Sequence, residues 1–145
     1  MSDVRKAGIT DSATMAATLA NAFAADPVCC WMCGQRDSEQ RMTPFWRSLA
    51  RTGLGNADHE IYVSEDRSSA AVWRGIDQWK LPPLEIARAL PAMALSLRFR
   101  LPLALQLLSA MEKVHPAEPH YYLEFLGTRS DRQNKGGGSA VMLYA

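Results

Sequence analysis

The chain has 145 residues, 16 basic and 15 acidic, for a formal net charge of +1. That length suffices for one domain with a core, and 48% hydrophobic against 21% charged residues excludes an intrinsically disordered chain. The near-neutral balance excludes a surface built for nucleic acid or an anionic membrane.

Val4 to Ile9 is expected to open the fold as a strand, with Thr10 or Asp11 capping the helix that follows. Met15, Leu19, Ala22 and Phe23 recur at helical spacing and define its buried face. Asp26-Pro27 ends it. Cys29, Cys30 and Cys33 follow within five residues and are the chain's only cysteines. An odd, clustered set makes a poor disulfide framework. A zinc site would need a fourth ligand, and His59, His115 and His120 are remote in sequence. Buried or partly buried thiols in a reducing, cytoplasmic setting are expected, with no metal. Polar residues Asp11, Ser12, Thr14 and Asn21 interrupt any apolar leader, so no targeting segment is expected.

A second helical stretch starts at Asp37 or Ser38, is interrupted at Pro44, carries Phe45, Trp46 and Leu49 on its apolar side, and stops at Gly53 and Gly55. Ile61 to Val63 and Ala70 to Arg74 flank the turn Glu65–Ser68 and read as an antiparallel hairpin, with Trp73 packing on a helix. Leu84 to Val114 reads as helix split by Pro91 and Pro102; Leu103, Leu107, Met111 and Val114 form one stripe expected to pack on the core. That stretch is too often broken by Arg and Pro to span a membrane.

Tyr121 to Leu126 is an apolar run suited to a buried strand. A polar turn follows, then Gln133, Asn134, Lys135, the glycines Gly136, Gly137 and Gly138, and a helix start at Ser139. Strand, Gly-rich turn and helix N-terminus aim backbone N–H groups at an anion. The bland alternative is a flexible linker, since GGGS is also linker composition. Arg129, Arg132 and Lys135 against Asp131 make this turn locally basic.

The stretch resembles the GNAT superfamily of acyl-CoA-dependent N-acyltransferases. Their signature is Gln or Arg, two residues, Gly, one residue, then Gly or Ala, matched here by Gln133, Gly136 and Gly138. His120 to Gly127, Gly138 to Ala140, and Ala22 to Val28 are similar to the branch holding puromycin-type acetyltransferases; Asn134 stands where that branch usually has Gly. The resemblance implies an α+β fold over 1–145, a mixed, mainly antiparallel sheet flanked by helices, with a helical insert at 80–115. It implies acetyl-CoA as acyl-donor co-substrate and a small-molecule amine as acceptor. Leu126, Gly127 and Thr128 would hold the pantetheine arm, and Gln133, Asn134, Lys135, Gly136, Gly137, Gly138 and Ser139 the pyrophosphate. The first helix and the loop beyond it would wall the acceptor pocket, where Trp31 and Met32 either line the pocket or are simply core.

Deprotonating an ammonium needs a base. Glu124 is the best candidate, because it sits within an apolar strand, on the same face as Tyr122. Its equal alternative is an edge residue facing water. His120 is a weaker base, and no motif supports Tyr144 as general acid. The family continues with further strands after the loop. The chain is therefore expected to be an N-terminal portion of that fold, with its C-terminal part missing and little turnover. The strand 120–127 edge would then either be covered by another chain, as in a homodimer, or leave the protein unstable and prone to aggregate. The alternatives to a transferase are a relative that only binds CoA and a helical protein-interaction module built on the Leu-rich stretch.

Overall fold

The computed structural model describes residues 3–34 and 36–144. Four strands form, Val4–Lys6 (β1), His59–Ser64 (β2), Ser69–Arg74 (β3) and Tyr122–Thr128 (β4). They make one sheet in the order β1-β2-β3-β4 with every pair antiparallel. The expected mixed sheet is therefore fully antiparallel among the described residues. Asp66 closes the β2–β3 turn by accepting from Ser64 Oγ at 2.7 Å and from the Ser68 N–H and hydroxyl at 3.1 and 2.8 Å.

Alternation sends Ile61, Val63, Ala70 and Val72 to one face, where all are buried. Helices Ser12–Ala22 (α1) and Ser38–Leu54 (α3) cover that face. Trp46 of α3 is completely buried there, with Phe23 and Phe125 ring centroids 5.1 and 5.0 Å away. Large aromatic rings in offset or edge contact hold the two layers together. Helix Gly137–Tyr144 (α6) covers the other face, where Tyr144 meets Tyr62 at 5.3 Å. Tyr144 thus lies across the sheet from Glu124.

The close approach of α1 to β4 explains Gly127. A Cβ there would come within 2.9 Å of Ala22 Cβ and 3.0 Å of Leu19 Cδ2. Gly127→Ala should lower stability by about 1–3 kcal/mol through overpacking, read as a fall in the urea midpoint at unchanged slope.

Several expectations change in the folded chain. β1 stops at Lys6, and Ile9–Asp11 is a 3₁₀ turn. Asp11 gives α1 no side-chain cap. Its buried carboxylate instead accepts from Arg5 Nη1 and Nη2 at 2.7 and 2.8 Å and from the Gly8 N–H at 2.9 Å. The Arg5 hydrogen bonds, aided by Gly8 and by the charges of Arg5 and Arg67, hold Asp11 down at about 2, from 3.8, against burial. A depressed carboxyl contributes stability that is full above its unfolded value and lost as pH falls. Stability should therefore drop between 3.8 and about 2. Asp11→Asn should flatten that drop and cost about 1–3 kcal/mol at neutral pH, measured by urea unfolding across this acid range.

Residues 27–33, expected as loop, form helix Pro27–Cys33 (α2). Asp26 caps it by accepting from the Cys29 N–H at 2.8 Å. Pro44 does not interrupt α3. Beside it, the Phe45 N–H donates to Ser96 Oγ at 3.1 Å, so a backbone donor next to the proline finds an acceptor on a neighbouring helix. Pro91 likewise lies inside Pro83–Leu97 (α4), and the split comes at Arg98–Arg100, where Arg98 is left-handed at φ 52. Leu101–Val114 (α5) follows. Its stripe is not packed as expected: Leu103 and Met111 are exposed and Val114 is 82% exposed. Only Ala104 of α5 is buried, while Leu107 and Leu108 face a cavity. No helix among the described residues is long and apolar enough to cross a membrane.

Candidate functional site

The site begins at an irregularity in β4. Val72 pairs with Phe125 and Trp73 with Leu123, so Glu124 has no partner in the ladder. A β-bulge of this kind turns two consecutive side chains towards one face. Tyr122, Glu124 and Phe125 all line the helix-covered side, which keeps Tyr122 and Glu124 together as alternation requires. On its outer edge β4 has no strand partner among the described residues.

Beside the bulge lies a cavity of about 450 Å³, enclosed by β3, β4 and the helices α2 to α5. Its walls are largely apolar, with Met32, Met42, Phe45, Met93, Leu107 and Leu108 among them. Met32 thus lines the pocket, whereas Trp31 points to solvent. Asp26, Ser48 and Thr52 add isolated polar groups to these walls, and one ion-paired cluster interrupts them. Arg74, with its side chain 6% exposed, donates from Nε and Nη2 to Glu124 at 2.8 and 3.1 Å. It lies farther from Glu85, at 3.4 and 3.5 Å. Asn56 Nδ2 donates to the other oxygen of Glu85 at 3.0 Å. Hence Glu124 faces neither water nor a purely apolar wall: it faces a guanidinium. The register explains the meeting, since His59 pairs with Arg74 and Arg74 with Tyr122 across three strands. Burial is the main cause that lowers the His59 pKa, with Arg74 adding to it. Burial is also the main cause that raises the Tyr122 hydroxyl, with Glu124 adding to it.

His120 stands outside this cluster. Its Nε2 is 2.9 Å from His115 Nε2, and its Nδ1 lies 2.6 Å from the Glu118 carbonyl. A carbonyl only accepts, so Nδ1 carries a proton and a neutral His120 receives the His115 proton at Nε2. Trp79 stacks on His115 at 3.9 Å.

The second depression lies past the other end of β4. Ser130–Arg132 is a 3₁₀ turn, Asn134 is left-handed at φ 61, and Gly136 has φ 82. Asparagine tolerates that conformation, which accounts for its place where the resembled branch has Gly. At Gly136 a side chain would be strained. The chain then enters α6, and Gly137, Gly138 and Ser139 present N–H groups without a hydrogen bond among the described residues. With Thr128, Gln133, Asn134 and Gly136 they line one cleft of about 320 Å³, and Arg132 stands at it. Gln133 Nε2 donates to the Thr128 carbonyl at 3.3 Å, tying the turn to the strand.

Most of the expected donor-binding residues are therefore brought together, with three exceptions. Lys135 sits on the outside, its Nζ donating to the Asp131 carbonyl at 3.4 Å. Leu126 lines the cavity rather than the cleft, and Gly127 is buried against α1. Sequence reasoning missed His59, Arg74 and Glu85. The available signal was Arg74, a charge in phase with buried Ala70 and Val72. The three cysteines are unpaired. Burial pushes the Cys29 thiol up to about 12, so it is no nucleophile. No group of three or more metal-ligating side chains occurs among the described residues.

No protein-family model and no curated protein sequence matches the chain. Among solved structures, a "histone acetyltransferase HPA2 and related acetyltransferase" from Corynebacterium glutamicum superposes with a TM-score of 0.61 at 22% identity. The match covers 99% of this chain and 70% of that one. The chain thus has the α+β fold of that acetyltransferase, an antiparallel sheet flanked by helices.

Proposed function

We propose that the chain is an acyl-CoA-dependent N-acyltransferase that moves an acetyl group from acetyl-CoA to the amine of a small molecule. The observation that carries this reading is the pair of depressions at the two ends of β4, whose outer edge has no strand partner among the described residues. The cleft at Gly136–Ser139 offers N–H groups and a helix N-terminus, which suit a pyrophosphate. Arg132 adds a cation at the same place. From Thr128 to Glu124 the strand runs about 13 Å at ~3.3 Å per residue, with its outer backbone groups open to a pantetheine arm. The acyl end then arrives at the bulge, beside the cavity. The acetyltransferase fold supports acyl transfer, and the puromycin-type likeness in the sequence together with the largely apolar cavity favours a small-molecule acceptor.

In the reaction the amine nitrogen attacks the thioester carbonyl. A C–N bond forms, the C–S bond breaks, and the thiolate leaves and takes up a proton. The acceptor must first give a proton to the protein. Glu124 is placed for this at the bulge: its oxygens accept from Arg74, and each keeps a further lone pair. A backbone N–H of β4 near the bulge can stabilise the developing oxyanion.

Acetyl-CoA titration by calorimetry tests the reading. A Cβ at Gly138 would sit 3.1 Å from Thr128 Oγ1, so a longer side chain must turn into the cleft. Gly138→Asp would put a carboxylate in the phosphate path and should abolish binding. Equal binding by the variant would remove the loop assignment.

A further inference from the structure

The charge of the polar cluster is not balanced. One guanidinium, Arg74, faces two carboxylates, Glu85 and Glu124. Arg74 spends its two short bonds, at 2.8 and 3.1 Å, on Glu124, and both its contacts to Glu85 exceed 3.3 Å. Glu85 is thus the carboxylate whose charge is least compensated. It lies on the first turn of α4, where the helix favours a negative charge. Its remaining partner is a neutral amide, Asn56. A second observation points the same way. His59 lines the same cavity, is 7% exposed, and neither of its ring nitrogens has a hydrogen-bond partner among the described residues. Burial lowers the pKa of this imidazole and so favours its uncharged form over a competing cation.

A buried surplus of negative charge calls for a cation. The rest of the cavity restricts which one. Apart from Asp26, Ser48 and Thr52, the rest of its wall is mostly Met, Leu, Ile, Val and Phe, which suits a hydrocarbon body better than a polyhydroxylated one. Methionines adapt to varied apolar shapes. The volume holds roughly fifteen water-sized groups, enough for a ring and a short chain. Resting on the transferase reading for the role of the site, we infer that Glu85 takes the ammonium of an apolar primary amine whose hydrocarbon body fills the cavity between α2, α4 and α5.

The test uses three ligands of one shape, 2-phenylethylamine, 2-phenylethanol and 3-phenylpropionate, titrated by calorimetry without any CoA. The amine should bind at least about tenfold tighter than the alcohol, the usual worth of a charge-assisted hydrogen bond. The carboxylate should bind weakest. Glu85→Gln should bring the amine-to-alcohol ratio close to one while alcohol affinity stays within about threefold, a change that lost folding alone would not produce. Glu85→Asp should restore part of the preference. A ratio unchanged in Glu85→Gln, a preference for the carboxylate, or no binding of any ligand would overturn the assignment. An acetyl-CoA titration of the same protein separates the two ideas. Donor binding without amine preference sinks the Glu85 assignment alone. Amine preference without donor binding sinks the transferase reading alone.

Discussion

Arg74→Met should destabilise the fold by about 3–5 kcal/mol, the usual cost of removing one partner from a buried ion pair. The side chain is 6% exposed, and two carboxylates, Glu85 and Glu124, would lose the only cation that pairs with them among the described residues. Methionine preserves much of the packing volume, so the loss reports on charge rather than on a void. Adding Glu124→Leu should return part of the stability, because replacing a buried pair with apolar groups of similar size is often close to neutral, while Glu85 remains without a cation. Urea unfolding at pH 7 reads both changes from the midpoint at constant slope. A single variant as stable as the parent would show that the two carboxylates do not depend on Arg74.

Glu124→Gln should lower turnover by about two orders of magnitude or more, the usual size of a lost general base. Glutamine keeps the shape and one acceptor for Arg74 but cannot take the proton. Acetyl-CoA affinity should stay unchanged, since the donor's phosphates lie at the far end of β4. A thiol-release assay at saturating amine, corrected for the folded fraction, measures the first quantity and calorimetry the second. The two carboxylates thus separate by readout: Glu124→Gln acts on rate, Glu85→Gln on the choice of acceptor. Equal turnover of Glu124→Gln and parent from about pH 6 to pH 9 would remove Glu124 from the mechanism.

Where the sequence misled, a neighbour far away in the chain was responsible. Proline at 44 reads as a helix break, because a proline removes a ladder bond. Ser96, about fifty residues on, accepts from the Phe45 N–H beside it, and α3 continues through the proline. The α5 stripe reads as a packed face, because periodicity reports amphipathicity and not what lies opposite. Opposite it lies a cavity, so Leu107 and Leu108 meet space while Val114 meets solvent. Asp11 reads as a helix cap, yet Arg5 and Arg67 converge on it and win by charge.

The sequence by itself determined the alternation of strands and helices, the pairing of β2 with β3, and the turn from β4 into α6. Each rests on contacts a few residues apart: period-two burial, an Asp-centred turn, and residues at 134 and 136 that accept positive φ. The tertiary structure alone decided the cavity and its charge. His59, Arg74, Glu85 and Glu124 come from three strands and a helix, and no spacing links them. Antiparallel register sets His59 beside Arg74, the bulge turns Glu124 to the same side, and α4 lowers Glu85 onto both. Which charges share a buried space depends on how whole elements dock, and that is settled by packing across the sheet rather than by any local pattern along the chain.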